Sequence, residues 1–109
     1  MSHFVEIRSY NLKPGTRDRL HQLMAEQALP MLARWYVDVV AYGPSLHDQD
    51  SYYLMRAYGS LMEREQSQDA FYSSDEWRNG PREHILVLIE SYTSAVIVVD
   101  DATLAGLRR

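Results

Sequence analysis

Residues 4–15, FVEIRSYNLKPG, constrain the fold more than any other stretch, because a period-two pattern runs straight into a turn signal. Val5 and Ile7 fall on one side of an extended chain, and Phe4, Glu6, Arg8 and Tyr10 on the other, which is strand alternation. The strand is expected from about His3 to Tyr10, closed by Lys13-Pro14-Gly15. The period then changes. Leu20, Leu23, Met24, Ala28, Met31, Leu32 and Trp35 recur at three- and four-residue steps, one buried helical stripe with Thr16 as its expected N-cap. Pro30 lies inside that stripe. Its ring should kink the helix near Glu26 to Ala28 rather than split it into two unrelated helices, since the stripe stays in phase across it.

The remaining signals extend the alternation. Val37–Tyr42 and Ser51–Tyr58 are β-branched and aromatic runs, read as antiparallel strands joined by a polar loop holding His47, Asp48 and Asp50. Ser60-x-x-Glu63 is a capping box opening a helix through about Tyr72, and Ser73-x-x-Glu76 reads as a second box opening a short turn around Trp77. Gly80 suits a helix C′ position and Pro81 the first position of another helix, in which Ile85, Leu88, Ile89 and Tyr92 lie at helical spacing. The run Ile85–Ile89 also fits a buried strand, but the Gly-Pro start and the length favour helix. Ala95–Val99 is the last strand, with Asp100 or Asp101 capping a C-terminal turn. The order β, α, β, β, α with an extra helix, β predicts one α+β domain over residues 1–109, a ferredoxin-like sandwich with a four-stranded antiparallel sheet and helices on one face.

Composition excludes several functions. A net charge of −4, with Arg108-Arg109 the one basic run, argues against a nucleic-acid surface. There is no cysteine, hence no disulfide, thiolate nucleophile or cysteine zinc site. No apolar run approaches a membrane span and no signal-peptide pattern opens the chain, so a soluble cytoplasmic protein is expected. His47-x-x-Asp50 with Asp48 offers too few ligands for a closed metal site, so neither metal nor other cofactor is expected. No G-x-S-x-G turn or phosphate-cradling glycine loop is present.

Eight tyrosines stand out, because tyrosine joins an apolar body to a polar tip and suits half-wet cavities and interfaces. If helices cover the face carrying Val5, Ile7, Val37, Val39, Met55 and Ala57, the opposite face carries Phe4, Glu6, Arg8, Tyr10, Val40, Tyr42, Tyr52, Leu54, Arg56 and Tyr58. That second face is too aromatic for open water, and a homodimer through sheet faces would cover it. Two readings stay open there. Glu6 and Arg8, roughly 7 Å apart along a strand, form an ion pair on a wet sheet, or Arg8 and Arg56 face a ligand carboxylate or enolate. Arg64 is expected to pair on the helix surface or with a loop, and Trp77 to plug the end of the sheet.

Glu6-x-Arg8-x-Tyr10 before Lys13-Pro14-Gly15, Arg56-x-Tyr58-x-Ser60 before Glu63-Arg64, and Phe71-Tyr72-x-Ser74-x-Glu76-Trp77 resemble the NIPSNAP family of dimeric α/β-barrel proteins, over about residues 3–98. The resemblance implies a ferredoxin-like monomer pairing through its sheets into a dimeric α/β barrel. It implies no particular reaction, since the wider superfamily spans cofactor-free monooxygenases, isomerases, cyclases and haem-handling enzymes. The expected function is a homodimer binding a small anionic or aromatic molecule at Glu6, Arg8, Tyr10, Tyr42, Arg56 and Tyr58. The alternatives are a cofactor-independent monooxygenase or isomerase, and an assembly module without a cavity.

Overall fold

The computed structural model describes residues 1–109. In chain order its elements are β1 (Ser2–Leu12), α1 (Arg17–Leu23), a π-helical turn (Met24–Ala28), α2 (Leu29–Arg34), β2 (Asp38–Pro44) and β3 (Ser51–Tyr58). There follow α3 (Leu61–Ser73), α4 (Asp75–Arg78), α5 (Arg82–Leu86), β4 (Ile89–Asp100) and α6 (Asp101–Leu107). The strands form one antiparallel sheet in the order β2-β3-β1-β4, the ferredoxin-like arrangement.

Local chemistry explains the helix boundaries. The π-helical turn ends two residues before Pro30, where the missing proline N–H and its ring interrupt the ladder to Glu26, and the stripe Leu20, Leu23, Met24, Ala28, Met31, Leu32 stays buried throughout. The chain leaves α2 through a Schellman motif, with Tyr36 N–H donating to Ala33 O and Val37 N–H to Leu32 O, both at 3.0 Å. Tyr36 therefore sits at φ 59°, where glycine is the usual occupant. At Thr16 the side chain does not cap α1, and its hydroxyl donates back to Lys13 O. Ser60 caps α3 as expected, accepting from Glu63 N–H. Ser74, not Ser73, caps α4, because the Ser73 hydroxyl is turned back to Asp69 O. At Gly80 a Cβ would lie 2.4 Å from the Glu76 carbonyl oxygen, so the turn between α4 and α5 needs glycine.

Two expectations about elements and faces fail as well. The segment Ile85–Tyr92 is not one helix: α5 stops at Leu86 and β4 begins at Ile89, so that Tyr92 is a strand residue paired with Tyr10. Pairing with the full length of β1 outweighs a helical spacing that five residues cannot sustain.

The larger correction concerns the faces. Helices α1 to α5 cover the side of the sheet bearing Glu6, Arg8, Tyr10, Tyr52, Leu54 and Arg56, and the main core of Leu20, Leu23, Met31, Leu54, Phe71, Trp77 and their neighbours lies there. The tyrosine-rich face is thus hidden by the chain's own helices and needs no second copy. On the other side Val5, Val40, Ala57 and Val99 form a smaller cluster under Leu104 of α6. A bulge between Val39 and Ala41 carries Val40 to that side and leaves Val39 and Tyr42 on the helix side. Beyond α6 this face is uncovered. Ile7, Tyr53 and Met55 are half-buried there, and Ile97 is 41% exposed.

Candidate functional site

Glu6 is the centre of the site. It stands opposite Arg56 on β3, and α3 lays Arg64, Gln68 and Tyr72, spaced four residues apart, across both. Arg56 Nη2 donates to Glu6 Oε1, while Arg64 Nε (2.8 Å), Arg64 Nη2, Gln68 Nε2 (2.9 Å) and Arg8 Nη2 (3.5 Å) donate to Oε2. The Glu6 side chain has no solvent exposure at all. Burial alone would raise its pKa, but Arg56, the Gln68 hydrogen bond and Arg8 outweigh it and hold the carboxyl at about 2. Ionised and saturated with donors, Glu6 positions guanidinium groups and is unsuited to act as a general base near neutrality. The wet-sheet ion pair is excluded.

The guanidiniums outnumber their acceptors. Arg8 Nη1 (3.3 Å) and Arg56 Nη1 (2.9 Å) both donate to the Tyr72 hydroxyl oxygen, and Arg8 Nε reaches Ser94 Oγ at 3.3 Å. Arg56 Nε is buried with no acceptor. Arg64 is a quarter exposed and meets water, but Arg8 and Arg56 are 9% and 1% exposed at their side chains. The dry part of the cluster therefore carries two cations against one carboxylate. Burying an excess charge is expensive, and that expense falls when an anion enters.

Arg8 opens the cluster to a cavity. A space of about 800 Å³ lies between the sheet edge and α3 to α5, lined by Arg8 and Gln68, by Tyr10, Tyr72, Trp77 and Tyr92, and by apolar side chains including Ile85 and Ile89. The Arg8 guanidinium stacks 4.7 Å from the Tyr92 ring centroid and 5.9 Å from that of Tyr72. Burial, and then Tyr72 nearby, pushes the Tyr10 phenol up to about 12 against the pull of Arg8 and Arg56. Burial also raises the Tyr58 pKa, although Arg56 opposes it, so both phenols stay neutral at physiological pH.

Of the residues singled out from the sequence, Glu6, Arg8, Tyr10, Arg56 and Tyr58 meet in this one region, with Gln68 donating to both Glu6 and Tyr58. Tyr42 lies elsewhere: on β2, it stacks at 6.2 Å on His21, whose Nδ1 shares a 2.7 Å hydrogen bond with the Tyr52 hydroxyl. The expected surface pairing of Arg64 is corrected to a part-buried bond with Glu6. Gln68 and Tyr72 were missed as site residues. None of the four histidines lines the cavity, and no three His, Asp or Glu side chains gather as a metal site. Trp77 both fills the core and forms part of the cavity wall.

The NIPSNAP family model matches residues 5–100. The chain belongs to the NIPSNAP family. Among solved structures, a NIPSNAP family protein from Agrobacterium tumefaciens superposes with a TM-score of 0.83 at 20% identity, covering 94% of this chain and 90% of that one. A NIPSNAP-like domain protein from Burkholderia xenovorans gives 0.82 at 16% identity, covering 91% and 86%. A candidate antibiotic biosynthesis monooxygenase from Bordetella bronchiseptica gives 0.68 at 19% identity, covering 93% and 98%, a likeness of fold alone. No curated protein sequence matches the chain. As a NIPSNAP protein it has no helix long and apolar enough to cross a membrane.

Proposed function

We propose that this NIPSNAP protein binds a small anionic molecule in the cavity between its sheet and α3 to α5, and pairs with a second copy through the bare sheet face. One observation carries the binding reading: the excess guanidinium charge of the Glu6 cluster reaches the cavity wall at Arg8. Arginine is suited to this task, because its fork of donors matches a carboxylate. The homodimer is supported by the uncovered apolar strip of Ile7, Met55 and Ile97, which faces away from every helix except α6. The cavity is lined by residues of one chain. A cofactor-independent monooxygenase or isomerase remains the rival; it rests on fold likeness, whereas binding rests on charge.

Calorimetric titration with 2-naphthoate and its neutral isostere 2-naphthamide tests the reading. The acid should bind at least tenfold more tightly, about 1.4 kcal/mol or more, and Arg8→Gln should abolish that difference. Equal affinity for acid and amide in the unaltered protein would refute it. Native mass spectrometry of protein from its own cell extract then seeks the retained compound.

A further inference from the structure

The Tyr72 hydroxyl is the second polar group at the inner end of the cavity. Its oxygen accepts from both Arg8 and Arg56, and no protein group accepts its own proton. A phenol polarised by two cations is a strong donor, and it stands on the cavity wall beside Arg8. A ligand oxygen placed there would accept from Tyr72 and from Arg8 together.

The charge at this end sets the valence of the ligand. Arg8 and Arg56 exceed Glu6 by one positive charge in the part of the cluster shut off from water. One negative charge balances it, and a dianion would bring a second charge with no further fully buried guanidinium to meet it. Farther out, the Asp69 and Glu90 carboxylates repel additional negative charge, and Arg82 is occupied by Glu83.

The walls set its shape. Tyr10 and Tyr92 touch at a tilt, 6.1 Å apart, and Tyr72 meets Trp77 edge-on at 5.5 Å, so the lining offers ring faces and edges to a ligand. Inward, the cavity ends in a recess of only about 30 Å³ among Leu20, Met24, Leu54 and Phe71. So small a recess adds no deep apolar tunnel for an alkyl chain beyond the main cavity.

We infer that the cavity selects a monocarboxylic acid with a flat, ring-bearing body, its carboxylate held by Arg8 and Tyr72 and its ring against the aromatic lining of Tyr10, Tyr92 and Trp77. This narrows the anion-binding reading above and rests on it. The test compares 2-naphthoate, 2-naphthyl phosphate, decanoate and 2-naphthamide by calorimetry on the full chain. Naphthoate should bind at least tenfold more tightly than each of the others, and Tyr72→Phe should weaken naphthoate about tenfold while changing naphthamide little. Naphthyl phosphate equalling or exceeding naphthoate overturns the single-charge argument, and decanoate doing so overturns the flat-body argument. Either result leaves anion binding standing as long as the acid still beats the amide. Acid and amide binding alike, or no binding by any probe, overturns both readings. Unchanged naphthoate affinity in Tyr72→Phe removes Tyr72 from the carboxylate site.

Discussion

Replacing Glu6 by Gln keeps the side-chain shape and removes the one carboxylate that three guanidiniums share. Two routes give the size of the effect. The fall of the Glu6 pKa from 4.5 to about 2 in the folded protein corresponds to about 3 kcal/mol at neutral pH, at about 1.36 kcal/mol per pH unit. Removing one member of a buried ion pair and stranding the other typically costs about 3–5 kcal/mol. Both place Glu6→Gln near 3 kcal/mol less stable at pH 7, a large part of a small domain's stability. Urea unfolding at fixed protein concentration reads this directly, with an unchanged dependence on denaturant if only the native state is affected. The pH dependence has a definite sign. A depressed carboxyl pKa stabilises above the unfolded-state value of 4.5, and the contribution disappears as pH falls from there to about 2. The gap between wild type and Glu6→Gln should therefore be full at pH 6 to 7 and close on acidification. A variant within about 1 kcal/mol of wild type at pH 7, or a gap that persists at pH 2, would refute the assignment of Glu6 as the ionised hub.

Two further outcomes follow from other parts of the chain. Tyr36→Gly should raise stability by about 0.5–1 kcal/mol, because Tyr36 holds the left-handed C′ position at φ 59° with a side chain 96% exposed; an unchanged or lowered melting temperature would mean that the ring makes a contact worth more than the strain. Ile97→Lys, on the bare face beside Val5, should turn a dimer into a folded monomer of 12.7 kDa by sedimentation, with thermal stability measured at equal concentration; a wild-type protein already monomeric at micromolar concentration would refute sheet-face pairing.

The fold was legible because its signals are local. Lys13-Pro14-Gly15 and the Ser60 capping box mark where period two gives way to period three and four, and both operate within a few residues of their own position. Residues 85–92 were misread, since Ile85, Leu88 and Tyr92 satisfy helical spacing as written, and only the distant partner Tyr10 makes Tyr92 a strand residue. The register between β1 and β3, which puts Glu6 opposite Arg56 and Tyr10 opposite Tyr52, likewise exists only once the strands have paired.

The sheet faces were inverted for a related reason. A rule that sends the more apolar side of a strand toward the helices places Val5 and Ile7 inward, and it holds when the covering helix is apolar. Helix α3 is not: the side it turns to the sheet carries Arg64, Gln68 and Tyr72, with Phe71 its one fully buried residue. A polar stripe on a helix and a polar row on a strand each look solvent-facing when read alone, yet together they satisfy one another out of water. The four-residue spacing of Arg64, Gln68 and Tyr72, set beside the two-residue spacing of Glu6, Arg8 and Tyr10, was the available clue. Two rows of matched donors and acceptors point to each other more strongly than either points to solvent, and the arginine left in excess is the one that borders the cavity.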